Sequence, residues 1–198
     1  DMMMEHSKSV RKGVTKSLMI VDMPYNTYRN SKEALKNARK IISNTKCDGV
    51  KLEGGKKICK IIKTLKKNKI QVMGHLGILP QSEKNFKYKG KEIAEKKKIL
   101  QDAKLLEKAG VFSIVLECVE SSLAKDITKS IKIPTIGIGA SAYCDGQVLV
   151  TDDLIGLNKI NARFVKQYSN VEKYINDAVL KFKQDVRKIK FPTKKHSY

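Results

Sequence analysis

The chain has 198 residues, of which 41% are hydrophobic, enough to build the core of an ordinary domain; disorder is therefore excluded as its main state. No apolar run is long enough to cross a bilayer, and residues 1–8 lack the apolar stretch and cleavage site of a signal peptide. The sequence thus predicts a soluble, cytoplasmic protein with no membrane partner. Its 4 cysteines form no C-x-x-C pair, so we expect reduced thiols rather than a zinc ribbon or a disulfide framework.

Basic residues outnumber acidic residues by 41 to 20, which gives a formal net charge of +21. Such an excess raises the hypothesis that nucleic acid or another polyanion is a partner. However, only 5 of the basic residues are Arg, whereas proteins that read base sequence favour Arg for its bidentate geometry. The lysines are spread along the chain in patterns typical of solvated helix faces. We therefore expect no nucleic acid partner, and polyanion binding stays as an alternative.

Short segments rich in Val and Ile alternate with longer amphipathic segments along the chain. The amphipathic segments predict helices at 31–44, 57–67, 90–109, 121–130 and 170–189, with Ser31 as the N-cap of the first. The apolar segments predict strands at 17–22, 49–53, 70–75, 112–117 and 133–139, with a sixth candidate at 147–150.

This strand-helix repeat predicts a parallel sheet that is covered on both faces. Residues 1–189 are predicted to form one domain, and 190–198 a polar tail. Two architectures remain open at this point, an open doubly wound sheet and a (β/α)8 barrel. The short chain favours the open sheet. The polar residues that end four of the predicted strands favour the barrel, because all strand ends of a barrel converge on one mouth. They are Asp22, Glu53, His75 and Glu117.

Three carboxylates and one imidazole at a barrel mouth fit a site for a small anionic or carbonyl substrate. Carboxylate oxygens suit Mg²⁺, and a carboxylate held away from the metal can act as a base. Lys51 is the one charged residue inside its strand, so it needs a carboxylate or an anion as partner. Simpler interpretations also exist: Asp22 as a helix N-cap, Glu53 as a turn residue, and His75 as a hydrogen-bonded scaffold residue.

Six motifs stand in order along most of the chain. They are Asp22-Met-Pro-Tyr, Val50-Lys-Leu-Glu-Gly-Gly, Gly74-His-Leu-Gly-Ile-Leu-Pro-Gln, Leu116-Glu-Cys-Val, Ile133-Pro-Thr-Ile-Gly-Ile-Gly-Ala and Cys144-Asp-Gly-Gln-Val-Leu-Val. Together they resemble the pattern of the ketopantoate hydroxymethyltransferase family.

The resemblance implies a parallel (β/α)8 TIM-type barrel of the phosphoenolpyruvate mutase and isocitrate lyase group, and dependence on Mg²⁺. It implies transfer of a hydroxymethyl group from the co-substrate 5,10-methylenetetrahydrofolate to the keto-acid 3-methyl-2-oxobutanoate. The product would be 2-dehydropantoate, in pantothenate and coenzyme A biosynthesis. It also implies a homo-oligomer of the ring type.

The resemblance also implies roles for individual residues. Asp22 corresponds to a Mg²⁺ ligand at the substrate pocket, and Glu53 to the acid beside the metal. Lys51 resembles the lysine that holds the keto-acid, and His75 a residue of the substrate pocket. Glu117 resembles the catalytic base.

One departure from the family pattern lies at the start of the chain. The first residues resemble the middle of a helix, and the family's two preceding strands are missing, together with a Gly-Asp-Ser segment whose Asp is the other Mg²⁺ ligand. Ser141 also stands where the family has Gly. We therefore expect an N-terminally truncated chain with an incomplete barrel, and a non-catalytic remnant of the enzyme is an alternative function.

Overall fold

The computed structural model describes residues 1–83, 87–158 and 162–198. Within these ranges the chain forms two compact units, residues 1–148 and residues 149–198. The first unit contains a parallel sheet and its helices, and the second contains helices only. That residues 1–189 form one domain followed by a polar tail stays a prediction.

Six parallel strands form one sheet in the first unit, and their order in the sheet is their order in the chain. This order is expected of strands joined by short crossovers, because consecutive elements pack as neighbours. Among the described residues, β1 and β6 each pair with a single strand. The strands are β1 Ile20–Asp22, β2 Gly49–Glu53, β3 Val72–Gly77, β4 Ser113–Glu117, β5 Thr135–Ile138 and β6 Gly146–Gln147.

In the part of the chain that the structure describes, five α-helices belong to the first unit and two to the second. None of the helices in the described ranges is long and apolar enough to span a membrane. The helices of the first unit are α1 Met2–Gly13, α2 Ser31–Thr45, α3 Cys59–Lys67, α4 Ile93–Ala109 and α5 Ser121–Ser130, with a 3-10 turn Lys56–Ile58 before α3. The second unit contains α6 Thr151–Leu154, α7 Val171–Arg187 and a 3-10 turn Lys194–His196.

The beginnings of two helices differ from the predicted ones. Asn30, not Ser31, caps α2: its backbone is extended, and its side-chain oxygen accepts a hydrogen bond from the Glu33 N–H at 2.9 Å. Helix α4 begins three residues later than the predicted helix. Gly90 has a φ of +86°, which is outside the helical region, and its N–H donates to the Glu95 carboxylate at 2.6 Å.

Alternate side chains of each strand face the helices and build the core. In β2, Val50 and Leu52 are fully buried, whereas Lys51 and Glu53 point to the other face. The same alternation continues across the sheet, and burial of each large side chain contributes roughly 1.5–3 kcal/mol. The helix-facing core side chains of the strands include Val21, Val50, Leu52, Val72, Leu76, Ile114 and Leu116, and those of the helices include Ala38, Ile62, Leu65, Leu106 and Ile127.

Four strands, β1, β4, β5 and β6, are shorter than predicted, and β1 and β6 show two different reasons. Strand β1 begins at Ile20, which pairs with Gly49 at the start of β2, and Leu18 outside the pairing is 71% exposed. Strand β6 is Gly146–Gln147 rather than 147–150. Val150 instead stands at the N-cap of α6, so the apolar run that follows the strand leads into a helix.

Candidate active site

Charged or polar side chains lie at or near the carboxyl ends of four neighbouring strands. The register pairs Asp22 of β1 with Lys51 of β2, and Glu53 of β2 with His75 of β3, while Glu117 ends β4. Because side chains two residues apart on a strand share a face, these residues point to the face opposite the helix-packed core. The structure therefore brings all five predicted site residues together, and we call them the polar cluster.

Lys51 occupies the centre of the polar cluster and has the partner that its position requires. Its Nζ lies 3.0 Å from Asp22 Oδ2 and 3.3 Å from His75 Nδ1, and its side chain is 16% exposed. Asp22 therefore pairs with an ammonium group rather than capping α2, a role that Asn30 fills.

His75 is 1% exposed, and its contacts define its tautomer. Nε2 lies 3.0 Å from the Ile78 carbonyl oxygen, which only accepts, so Nε2 carries the proton. Nδ1 faces the Lys51 ammonium, which only donates, so Nδ1 accepts. The neutral ring therefore directs Nε2–H towards Ile78 and towards Glu117 Oε2, at 3.3 Å.

Glu53 is the most enclosed carboxylate of the polar cluster. Its side chain is 7% exposed, and Oε2 accepts a hydrogen bond from the Gln81 N–H at 3.3 Å. Burial raises the pKa of the Glu53 carboxyl, although the adjacent His75, the Gln81 hydrogen bond and the charge of Lys51 act in the opposite direction. Its own N–H donates to the Tyr28 hydroxyl at 3.4 Å, and burial raises the pKa of Tyr28 as well. Glu53 is thus held by two loops as well as by its strand.

Glu117 is the last residue of β4, and the chain turns sharply after it. Cys118 has a φ of +48°, in the left-handed region, while its N–H donates to the Ile138 carbonyl at 2.8 Å. The Glu117 side chain is 18% exposed, so it is open to a ligand but partly enclosed. A carboxylate that is oriented by an imidazole at the carboxyl end of a strand can accept a proton from a bound substrate.

A cavity of about 180 Å³ opens beside the polar cluster. Glu53 forms part of its wall, and the loop after β1 supplies most of the rest. We call it the tyrosine cavity, and its lining residues are Tyr25, Asn26, Tyr28, Arg29, Glu53 and Ser82.

A second cavity, of about 320 Å³, lies at the amino ends of the strands. Its one carboxylate, Asp48, already accepts from the Met19 N–H at 2.8 Å and pairs with Arg11 at 3.3 Å. None of the predicted site residues lines it. The lining residues are Leu18, Ile20, Asp48, Gln71 and Phe112.

Tyr28 and Gln81 are site residues that the sequence analysis did not single out. Gln81 bridges two strand ends, because its N–H bonds Glu53 and its side-chain amide donates to the Met23 carbonyl at 3.2 Å. Gln81 lies inside a quoted motif, but neither residue falls on a strand or a helix face. Periodicity therefore gave no signal for their contacts.

The donor chemistry of the polar cluster fits a hydrated Mg²⁺ ion. Over residues 1–83, 87–158 and 162–198, no group of three or more His, Cys, Asp and Glu is arranged to hold a metal. Mg²⁺ usually takes only one or two protein carboxylates and keeps waters. Asp22, whose side chain is 40% exposed, and Glu53 supply that number. Gln81 Oε1 is a buried acceptor with no partner among the described atoms, as a group that accepts from a water would be.

The comparisons with known proteins agree on one family. A family model described as ketopantoate hydroxymethyltransferase matches residues 1–194. The 3-methyl-2-oxobutanoate hydroxymethyltransferase of Pelagibacter ubique is 80% identical over the whole chain, which covers 77% of that protein. The enzyme of the same name from Rhizobium etli is 45% identical, again over the whole chain and over 74% of that protein.

A solved structure shows the same fold at low sequence identity. The crystal structure of phosphonopyruvate hydrolase matches 97% of this chain and 70% of that chain, with a TM-score of 0.55 and 11% identity. The prediction of an α/β fold built on a parallel sheet of the barrel type is confirmed, and among the described residues the sheet is not closed, since β1 and β6 each pair with a single strand. From its sequence matches, this chain belongs to the ketopantoate hydroxymethyltransferase family.

Proposed function

We propose that this protein transfers a hydroxymethyl group from 5,10-methylenetetrahydrofolate to 3-methyl-2-oxobutanoate. The observation that carries the proposal is the polar cluster, within a chain that is 80% identical to a relative of that name. It combines one ammonium group, one neutral imidazole and three carboxylates at the carboxyl ends of adjacent parallel strands, where enzymes of this fold carry out their chemistry.

Lys51 is the residue that we assign to the keto-acid. The substrate is an anion, and the Lys51 ammonium is the cationic group of the polar cluster. His75 accepts one hydrogen bond from Lys51, which orients the ammonium group towards the ends of the strands. Asp22 compensates the Lys51 charge before the substrate binds.

Glu117 is the proposed base. Its carboxylate takes the proton from C3 of the keto-acid, and the electron pair of that C–H bond becomes the enolate pair. The enolate carbon then bonds the methylene carbon of the folate. Both C–N bonds of the methylene carbon break, and the oxygen of a water molecule ends on that carbon as the hydroxyl group. Each of the two folate nitrogens keeps the electron pair of its C–N bond and gains a proton, one originating from C3 and one from the water molecule. Keto-acid, methylene carrier and water thus give 2-dehydropantoate and tetrahydrofolate.

Asp22 and Glu53 are the residues that would hold Mg²⁺, as the fit of their oxygens supports. When bound, the ion supplies a Lewis acid for the keto oxygen. Glu53 keeps its orientation through the Gln81 and Tyr28 contacts, which leave Oε1 on the side of His75.

We also propose a cytoplasmic homo-oligomer, in keeping with the pathway and with the surface of α7. Large apolar side chains along this helix are at least half exposed within the single chain, which is unusual for a helix of a stable monomer. They include Tyr174, Ile175, Val179, Leu180 and Phe182.

The proposal predicts that the protein exchanges the C3 proton of 3-methyl-2-oxobutanoate in D₂O. The Glu117→Gln variant keeps the shape and a hydrogen bond but cannot accept the proton, so exchange falls by about 10²–10⁴. Proton NMR at near-neutral pH measures the rate directly, with Mg²⁺ present. Glu5→Gln is the matched control, because Glu5 is an exposed residue of α1 whose carboxylate pairs with Lys8 at 2.9 Å, away from the polar cluster.

Two results would contradict the proposal in different ways. No exchange by the wild-type protein would reject the reaction itself. Unchanged exchange in Glu117→Gln would keep the reaction but place the base elsewhere, with His75 as the next candidate. Calorimetric titration with the keto-acid checks that the variant still binds substrate.

A further inference from the structure

Aromatic side chains line the tyrosine cavity, and the proposed reaction at the polar cluster gives their rings no role. Tyr25 lines it while being 58% exposed, and Tyr28 lines it from a half-buried position. The Tyr28 hydroxyl accepts from the Glu53 N–H, so this wall is tied to β2. Two tyrosine rings at one cavity offer flat surfaces on which a ligand ring can stack.

Charge makes this cavity a poor site for the keto-acid. The guanidinium of Arg29 is engaged by both oxygens of Glu33, with Nε and Nη2 at 3.1 and 3.0 Å. The carboxylate of Glu53 adds negative charge to the wall. A small anion is therefore better matched by Lys51 in the polar cluster, and the tyrosine cavity favours a flat group without negative charge.

The size of the cavity limits what can enter. A cavity of about 150 Å³ is enough to bind benzene. Sites that enclose a whole drug-sized ligand begin at about 300 Å³. At about 180 Å³, the tyrosine cavity holds a ring system whose attached chain stays outside.

Position connects the cavity to the reaction. The carrier must place its methylene carbon within bonding distance of the keto-acid, so the two binding sites need a common wall. Glu53 is that wall, since it lines the cavity and lies 4.0 Å from His75 Nδ1 in the polar cluster. We infer that the tyrosine cavity binds the heteroaromatic end of the one-carbon carrier, with its ring stacked on Tyr25. This inference rests on the proposed function.

The test separates the two substrates kinetically in the complete protein with Mg²⁺. Tyr25→Ala removes the stacking surface, so KM for 5,10-methylenetetrahydrofolate rises about 5- to 150-fold, the range expected for one lost stacking contact. KM for the keto-acid and the C3 proton exchange rate stay within about twofold, because Lys51 and Glu117 are untouched. Tyr25→Phe keeps the ring and retains most of the affinity for the carrier.

A control and a second variant complete the design. Tyr143→Ala removes an equally exposed tyrosine whose ring contacts Lys125 at 4.0 Å instead of the cavity, and it leaves both KM values unchanged. Ser82→Phe fills the cavity from an exposed position and raises KM for the carrier as Tyr25→Ala does. Unchanged proton exchange in each variant shows that it is folded.

An unchanged KM for the carrier in Tyr25→Ala, or an equal rise of both KM values, overturns the inference. Equilibrium binding of tetrahydrofolate to the wild-type protein and to Tyr25→Ala provides an independent decision. If the wild-type protein fails to exchange the C3 proton, the proposed function is rejected. The binding comparison then still decides whether the cavity takes this ring.

Discussion

The two ends of the sheet differ in chemistry more than in shape. At the carboxyl ends lie the five charged or polar side chains of the polar cluster. Each of them is within 4.0 Å of at least one other member, and none belongs to the apolar core. At the amino ends, the cavity is lined mainly by apolar side chains, and its carboxylate is already paired. The larger cavity, about 320 Å³, is at the amino ends.

This comparison shows that cavity size does not identify the functional end of a parallel sheet. All strands run in the same direction, so one end of the sheet carries the carboxyl-terminal residues of every strand and the other end carries the amino-terminal residues. Residues at the carboxyl ends can be chemically reactive ones, because the loops that follow them contribute few side chains to the hydrophobic core. Residues at the amino ends stabilise the fold. Substitutions at the two ends should therefore separate activity from stability.

Of the three substitutions that test this comparison, Lys51→Met should have the largest effect. The variant keeps the length of the side chain but removes the ammonium group, so the keto-acid loses its cation and Asp22 its partner. Removing one partner of a buried charge pair costs about 2–5 kcal/mol, which corresponds to a rise of ~30-fold or more in KM for the keto-acid. Steady-state kinetics measure this, with Lys129→Met on the exposed end of α5 as the control. A stability loss without a change in KM would contradict the assignment.

Phe112→Ala should show the opposite behaviour at the amino ends. Phe112 is half-buried, and its truncation enlarges an apolar cavity, so the free energy of unfolding should fall by about 2 kcal/mol. Its N–H bond to the Val72 carbonyl at 3.0 Å is unaffected. Urea denaturation gives the stability, and NMR gives proton exchange per folded molecule, which should stay within about twofold. A strong loss of exchange in the folded variant would remove the distinction between the two ends.

Glu120→Gln should have the smallest effect of the three. In the wild-type protein, Glu120 is an acidic residue near the carboxyl ends of the strands whose role is structural. Its carboxylate caps α5 by accepting from the N–H groups of Ser122 and Leu123, at 3.0 and 3.1 Å. Hydrogen bonds, first that of the Ser122 hydroxyl, lower the pKa of Glu120 to about 2. Because this pKa is below its unfolded value, the carboxylate stabilises the fold above pH 4.5, and that contribution is lost as pH falls towards 2.

The wild-type protein should therefore exceed Glu120→Gln in stability by up to about 1 kcal/mol at neutral pH, and the difference should shrink in acid. Urea denaturation at several pH values measures both proteins, and the other titrating groups cancel in the difference. A difference that does not change with pH would show that shape alone, rather than charge, caps this helix.

Much of the fold could be predicted because local pattern and final environment agree. Strand β4 is buried over nearly its whole length, and its apolar run ends at Glu117 as predicted. Strand β1 was predicted too long because Leu18 and Met19 continue its apolar run, but neither of them pairs with a residue of β2. Pairing partners are a property of two segments, so one segment cannot specify where a strand begins.

The residues of the candidate site also fall into those that the sequence could predict and those that it could not. Residues at strand ends could be named from the sequence, since parallel topology brings them together. Tyr28 and Gln81 could not, because their contacts with Glu53 join loops that follow different strands. The tautomer of His75 also depends on Ile78, whose carbonyl faces the ring only after the turn at Gly77.

The alternation of β2 restricts how the length of this chain can vary. Val50 and Leu52 are fully buried on one face, and Lys51 and Glu53 carry the polar cluster on the other. A deletion or an insertion of one residue inside this strand would exchange the faces, placing an ammonium group among the helices and an isobutyl group beside His75. A single substitution would remove individual contacts, whereas a one-residue shift of β2 would disrupt both the hydrophobic core and the polar cluster. We therefore expect a change in length to be more damaging within Gly49–Glu53 than in the segments between the strands.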